Sequence, residues 1–219
     1  MISVYHFAVL KLLVYFSFMH GARSSPVDLT LGFTDLPLNQ SNLVVQKPYN
    51  LPESARYSFV DGVHKMWVYS TDKPHSITSK THARTEIRVT GYDYSSGVWQ
   101  FEGHGFVPNG TTAVCIMQVF GSAPPTATTF MLRTYNGSLT YYTHPVLVTD
   151  IWGRWFKLNV IHDVDASDVK VYIDGFLVYE TPGRGGVSHY FKCGVYQSND
   201  SSYYTESRWK GIRVLKKCS

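Results

Sequence analysis

An all-β sandwich or jelly roll is the fold this sequence predicts, and three observations predict it. From Tyr57 onward, short segments of alternating or β-rich residues follow one another, with no amphipathic helix longer than a turn or two. Two of the connections are Asn-Gly and Asp-Gly dipeptides between β-rich arms, the signal for two-residue type I′ hairpins. The chain is also rich in rings and poor in charge: 15% aromatic with 16 tyrosines, against 16% charged. Its 219 residues fit one domain, since all-β sandwiches commonly run to about 200–250 residues. A hydrophobic share of 44% is too high for a disordered chain. A coiled coil is excluded, because such chains are dominated by Ala, Glu, Lys and Leu. The formal charge of +4 is thinly spread, which disfavours a nucleic-acid partner.

In chain order, residues 1–24 read as a secretory signal. Lys11 closes a weakly positive start, Leu12–Met19 is an apolar run, and Ala22-Arg-Ser24 offers a small-residue cleavage site. A membrane span would need about 20 apolar residues, and Lys11 interrupts the stretch. No membrane association is expected once the leader is removed. Four N-x-S/T sequons, at Asn39, Asn109, Asn136 and Asn199, agree with secretion and predict a glycoprotein. Residues 25–56 read as an extended, proline-punctuated lead-in packing on the sandwich. Strands are expected at 64–70, 84–90, 97–107, 113–120, 154–163, 189–197 and 207–216. Hairpins are expected at 130–142 around Asn136-Gly137 and at 169–180 around Asp174-Gly175.

Period-two alternation assigns side chains to faces. In Arg84-Thr-Glu-Ile-Arg-Val89, the residues Arg84, Glu86 and Arg88 share one face and Thr85, Ile87 and Val89 the other. Two arginines and a glutamate over an apolar face suit anion recognition, or simply a solvated sheet surface. In Tyr190-Phe-Lys-Cys-Gly-Val-Tyr196, Tyr190, Lys192, Gly194 and Tyr196 share a face, with Gly194 leaving room for close approach to the backbone. In Cys115-Ile-Met-Gln-Val-Phe-Gly121, Gln118 falls beside Ile116 and Phe120. A glutamine among apolar neighbours needs a partner, either a ligand or another side chain.

These three segments resemble, in order and separation, the three signature motifs of the alginate lyase 2 superfamily (polysaccharide lyase family 7). The similarity spans essentially the whole chain after the leader. Tyr57-Ser-Phe59, Gly62-Val-His-Lys65, Tyr92–Glu102 and Gly183-Arg-Gly-Gly186 are most similar to the plant citrate-binding proteins within it. The resemblance implies a single-domain, concanavalin-like β-jelly roll over residues 57–219, with a concave ligand groove. It also implies a secretory-pathway destination, in the vacuole or the cell wall.

Uronate lyases cleave by β-elimination, which requires a neutralised substrate carboxylate, a base for the C5 proton and an acid for the departing oxygen. By motif position the resemblance makes Arg84 and Gln118 the neutralisers and Tyr196 the acid or base. The motif histidine is replaced by Phe120, which can do neither job. The related glucuronan lyases draw a histidine from elsewhere, and His75 and His82 precede the Arg84 strand. Catalytic candidates are therefore Tyr196, Gln118, Arg84, His82 and His75. A small carboxylate asks for less: arginine forks and a lysine, with no base. Arg84, Glu86, Arg88, Gln118, Lys192, Tyr190 and Tyr196 are the ligand-binding candidates for citrate or an acidic oligo- or polysaccharide. The leading expectation is a carboxylate-binding protein, acting as a monomer. The alternative is a lyase for a glucuronate- or alginate-type polymer.

Asp163-Val-Asp-Ala-Ser-Asp168 lacks the glycine of a calcium loop and reads as a hairpin turn. No zinc spacing occurs, and no cofactor or metal is expected. Gly183-Arg-Gly-Gly186 reads as a mobile loop, with Arg184 able to reach an anion. His162 falls on the Phe156, Leu158 and Val160 face. Cys115 and Cys193 are expected to point into the core. A Cys115–Cys193 or Cys193–Cys218 disulfide is open. Tyr92, Tyr94, Trp99, Tyr141 and Tyr142 could stack on sugars or on one another.

Overall fold

The computed structural model describes residues 28–218, so the secretory-signal expectation lies outside the described residues. Fifteen strands alternate with turns. They are β1 (Phe33–Leu36), β2 (Leu43–Gln46), β3 (Tyr57–Val60), β4 (Val63–Tyr69), β5 (Arg84–Val89), β6 (Val98–Phe106), β7 (Val114–Phe120) and β8 (Thr128–Tyr135). Then come β9 (Ser138–Tyr141), β10 (Val146–Val148), β11 (Trp155–Asp163), β12 (Asp168–Ile173), β13 (Phe176–Pro182), β14 (Tyr190–Gln197) and β15 (Tyr204–Lys217).

The strands form a β-jelly roll of two antiparallel sheets. The larger runs β13-β12-β11-β6-β15-β4-β3, with β1 beside β15. The smaller runs β10-β9-β8-β7-β14-β5-β2. Both predicted hairpins have type I′ geometry, with φ of 47° and 79° at Asn136 and Gly137 and 54° and 86° at Asp174 and Gly175. The lead-in contributes strands to both sheets: β1 pairs with β15 and β2 with β5.

Alternation buries one face of each sheet against the other. Phe101, Phe130, Phe156, Phe191 and Trp209 are fully buried between the layers, with Met66, Ile87, Met117 and Leu132 among them. Truncating such a ring to alanine typically costs about 3–5 kcal/mol, because transfer and cavity terms add. Gly105 makes room for two of these rings. A Cβ there would lie 2.7 Å from Phe156 Cζ and 3.2 Å from the Trp209 ring. His162 lies in the core as expected, with its Nδ1 3.1 Å from the Tyr94 hydroxyl. Tyr94 stacks on Trp99 at 4.6 Å, so both rings serve packing.

Candidate functional site

The outer face of the smaller sheet gathers the three motif segments, because β14 lies between β5 and β7. The register sets Lys192 opposite Arg88 and Tyr196 opposite Arg84 on one side, and Lys192 opposite Gln118 on the other. Thr85, Ile87 and Val89 point inward and are buried, which leaves Arg84, Glu86 and Arg88 on the outer face.

Glu86 is the centre of the cluster. Its side chain is buried, accepts a 2.5 Å hydrogen bond from Gln118 Nε2 and pairs with Arg84 Nη1 at 3.3 Å. Lys192 Nζ lies 3.6 Å from the same carboxylate and donates to Gln46 Oε1 at 2.7 Å. One buried carboxylate thus serves two buried cations. Desolvation lowers the pKa of Lys192, and Glu86 opposes that shift. Arg84 Nη2 donates to Thr81 Oγ1 at 2.8 Å. Arg84 Nε and Arg88 Nε are buried and have no acceptor among the described residues.

Stacking fixes the guanidinium planes. Arg84 lies over the Tyr196 ring at 3.9 Å and Arg88 over the Tyr190 ring at 4.0 Å. Arg88 also pairs with Asp93 at 2.6 Å. Burial raises the pKa of Tyr190, and Arg88 opposes it. Phe120 stacks on Tyr190 at 4.8 Å, with Lys192 Nζ 5.3 Å from its ring. Phe120 is therefore a wall of the site beside the lysine.

The histidines preceding β5 take different positions. His75 is partly buried, and desolvation lowers its pKa, with Arg84 and Lys192 adding to the effect. Its ring thus feels the charges of the cluster. His82 is exposed and lines a pocket of about 190 Å³ with Met131, Arg133, Tyr196, Gln197 and Ser198.

Three expectations need correction. Gly194 does not open the backbone to a ligand: a Cβ there would lie 2.3 Å from Thr85 O, 2.6 Å from Glu86 Cα and 2.9 Å from the Met66 sulfur. The close approach it permits is that of β5 and the opposite sheet. Cys115 is not core-facing, because bulges shift the register around Ile116 on β7 and Gly194–Val195 on β14. It pairs with Tyr196 and Arg133, while Ile116 joins the core. All three cysteines are free thiols, so neither disulfide forms. Arg184 donates to the hydroxyls of Tyr141 and Tyr142, each at 3.0 Å. Those two tyrosines are thereby engaged, and Tyr92 donates to Pro37 O at 2.6 Å.

Sequence reasoning missed Gln46, which reaches Lys192 from β2, and Arg133 on β8. No local signal in the sequence marks either one. The 163–168 segment forms the turn joining β11 to β12, and Asp163 Oδ1 accepts from Ala166 N. Among the described residues no cluster of three His, Cys, Asp or Glu side chains could hold a metal.

Comparison with known proteins agrees with this architecture. The chain is 47% identical to a citrate-binding protein of Hevea brasiliensis over 211 residues, covering 96% of this chain and 87% of that one. Its fold resembles the alginate lyase from Corynebacterium sp., with a TM-score of 0.61 at 15% identity, covering 83% of this chain and 92% of that one. It also resembles alginate lyase AlgAT5 from polysaccharide lyase family 7, with a TM-score of 0.62 at 17% identity over 79% and 93% of the two chains. The family profile described as alginate lyase matches residues 35–216, nearly the whole described chain, and the protein belongs to the alginate lyase 2 family.

Proposed function

We propose that the protein binds a carboxylate ligand, citrate or a uronate oligosaccharide, on the Arg84–Lys192 face without turning it over. The observation carrying this reading is the convergence of Arg84, Arg88, Lys192 and Gln118 on one sheet face around the Glu86 carboxylate, with the Arg88 side chain still partly exposed to an incoming anion. Arginine suits the task because its planar fork matches a carboxylate. The name of the Hevea relative supports citrate as the first ligand to try. Phe120 argues against turnover, since an aromatic hydrocarbon stacked on Tyr190 neither accepts the C5 proton nor neutralises a uronate.

The second reading is a lyase with Tyr196 as acid and base. What favours it is the pocket that places His82 and Arg133 beside Tyr196, with Arg84 stacked on the same ring. Both readings belong to a secreted, N-glycosylated protein. Asn39, Asn109, Asn136 and Asn199 are all exposed, as glycan attachment would need.

Two measurements separate the readings. Calorimetry with citrate should show binding that is lost in Arg84→Ala; an unchanged affinity in that variant removes the proposed anion fork. Incubation with polyglucuronate, polymannuronate and polyguluronate, followed by ultraviolet absorbance, should give no unsaturated product. Product formation abolished by Tyr196→Phe would establish the lyase instead.

A further inference from the structure

The outer face of the larger sheet carries a second group of cations and rings, remote from the Arg84 cluster. One row of the register runs Ser58, Lys65, Arg208, Phe106, Trp155 across β3, β4, β15, β6 and β11. The next row places Lys210 between Val63 and His104. Cations and rings are in contact: Lys210 lies 4.4 Å over Trp155, Arg208 5.1 Å over Phe106, and Lys65 5.2 Å over Trp67. The Phe106 and Trp155 rings adjoin at 5.4 Å. Above them lies a hollow of about 380 Å³, with Lys65, Arg208 and Trp155 in its walls.

The charges of this face point outward. Lys65 and Arg208 share Glu206, at 3.3 and 2.6 Å, but that carboxylate is buried beneath them. The side chains of Lys65 and Arg208 stay 38% and 39% exposed, against 8% for Arg84 and 3% for Lys192. These cations are thus more accessible than those of the first site. We propose that this face is a second binding site, for an acidic oligosaccharide. Lys210 and Arg208 lie over the Trp155 and Phe106 rings, so a uronate would draw these cations onto its carboxylates and set its C–H face on the ring surface they leave.

The test is native electrophoresis through gels containing alginate or polygalacturonate, referred to polymer-free gels so that charge changes cancel. It is run in the wild-type and Arg84→Ala backgrounds, so that the first site is removed independently. Retardation should persist in Arg84→Ala and be lost on adding Trp155→Ala or Lys210→Glu. Lys210 is exposed, so its substitution keeps the test valid if Trp155→Ala fails to fold. Retardation unchanged by both substitutions overturns the proposal, as does its absence in every form of the protein. Equal retardation by a neutral polymer such as hydroxyethylcellulose overturns the acidic specificity. Self-association in sedimentation that Trp155→Ala abolishes would assign the face to a second copy of the chain instead.

Discussion

Gln118 Nε2 donates its 2.5 Å hydrogen bond to Glu86 Oε1 across the whole width of β14, tying β7 to β5 over the strand between them. Gly194, opposite Glu86 in the register, has no side chain to stand in the way. The carboxylate so held already occupies part of what Arg84, Lys192 and Gln118 can donate. It fixes their positions and leaves only their remaining donors for a ligand.

Glu86→Ala should therefore destabilise the fold by about 3–5 kcal/mol, because it leaves two buried cations without their counter-charge. Glu86→Gln, which keeps the shape, should cost less. Urea unfolding of both variants checks this. A loss below about 1 kcal/mol in the alanine variant would show that the cations relax into solvent.

Gly194→Ala should be among the most damaging small substitutions in the chain. Its φ of +145° disfavours a side chain, and the added Cβ meets β5 backbone at 2.3 Å. Strain and overpacking each contribute about 1–3 kcal/mol. Soluble yield and the denaturation midpoint are the readouts, and a wild-type midpoint would contradict the contact.

One thiol of three should react under native conditions. Cys218 is exposed while Cys115 and Cys193 are buried, and burial raises both of their pKa values. Alkylation followed by mass spectrometry should label Cys218 rapidly and the others only after unfolding. Rapid native labelling of Cys115 would mean that the face above it opens.

Stability should fall on acidification. Burial lowers the pKa of His64 and His162 from 6.5 to about 4. A base with a depressed folded pKa is protonated more readily when unfolded, so the unfolded chain gains protons first as pH drops. Their contribution is fully present above about pH 6.5 and is lost as pH falls toward 4. His162 also faces the His189 ring at 4.7 Å, so protonating both sets like charges together. Tm measured across this window should decline, with a shallower slope in His162→Gln. A flat profile would place both imidazoles in contact with water.

How much of this was legible in the sequence varies with the range of the contact. The Asn136-Gly137 and Asp174-Gly175 turns were readable because φ > 0 at two successive positions almost dictates those residues. The shared face of Arg84, Glu86 and Arg88 was readable because a regular strand has period two. The position of Cys115 was not. Alternation assumes an unbroken register, and the bulges at Ile116 and Gly194 break it; a glycine within a strand can mark a bulge, but no residue announces the one at Ile116. Nor was the Lys192–Gln46 bond, which joins residues 146 positions apart. Gly194 was recognised as a place of close approach, but a glycine does not say what approaches. Only the packed β5 backbone does.

The strand order also bears on how the molecule is made. β14 and β15 sit inside their sheets, β14 between β5 and β7, and β15 between β4 and β6. Both are translated after the neighbours they separate. A nascent chain that has already exposed β4 to β7 still lacks the middle of each layer. Their facing edges stay unpaired until about the two-hundredth residue emerges, and such edges template aggregation. Arg84 and Gln118 therefore take their places on either side of β14 only after that strand has emerged. The Arg84–Lys192 face is assembled in a late, non-local step, and a folding-defective variant of this protein should accumulate with that face unmade.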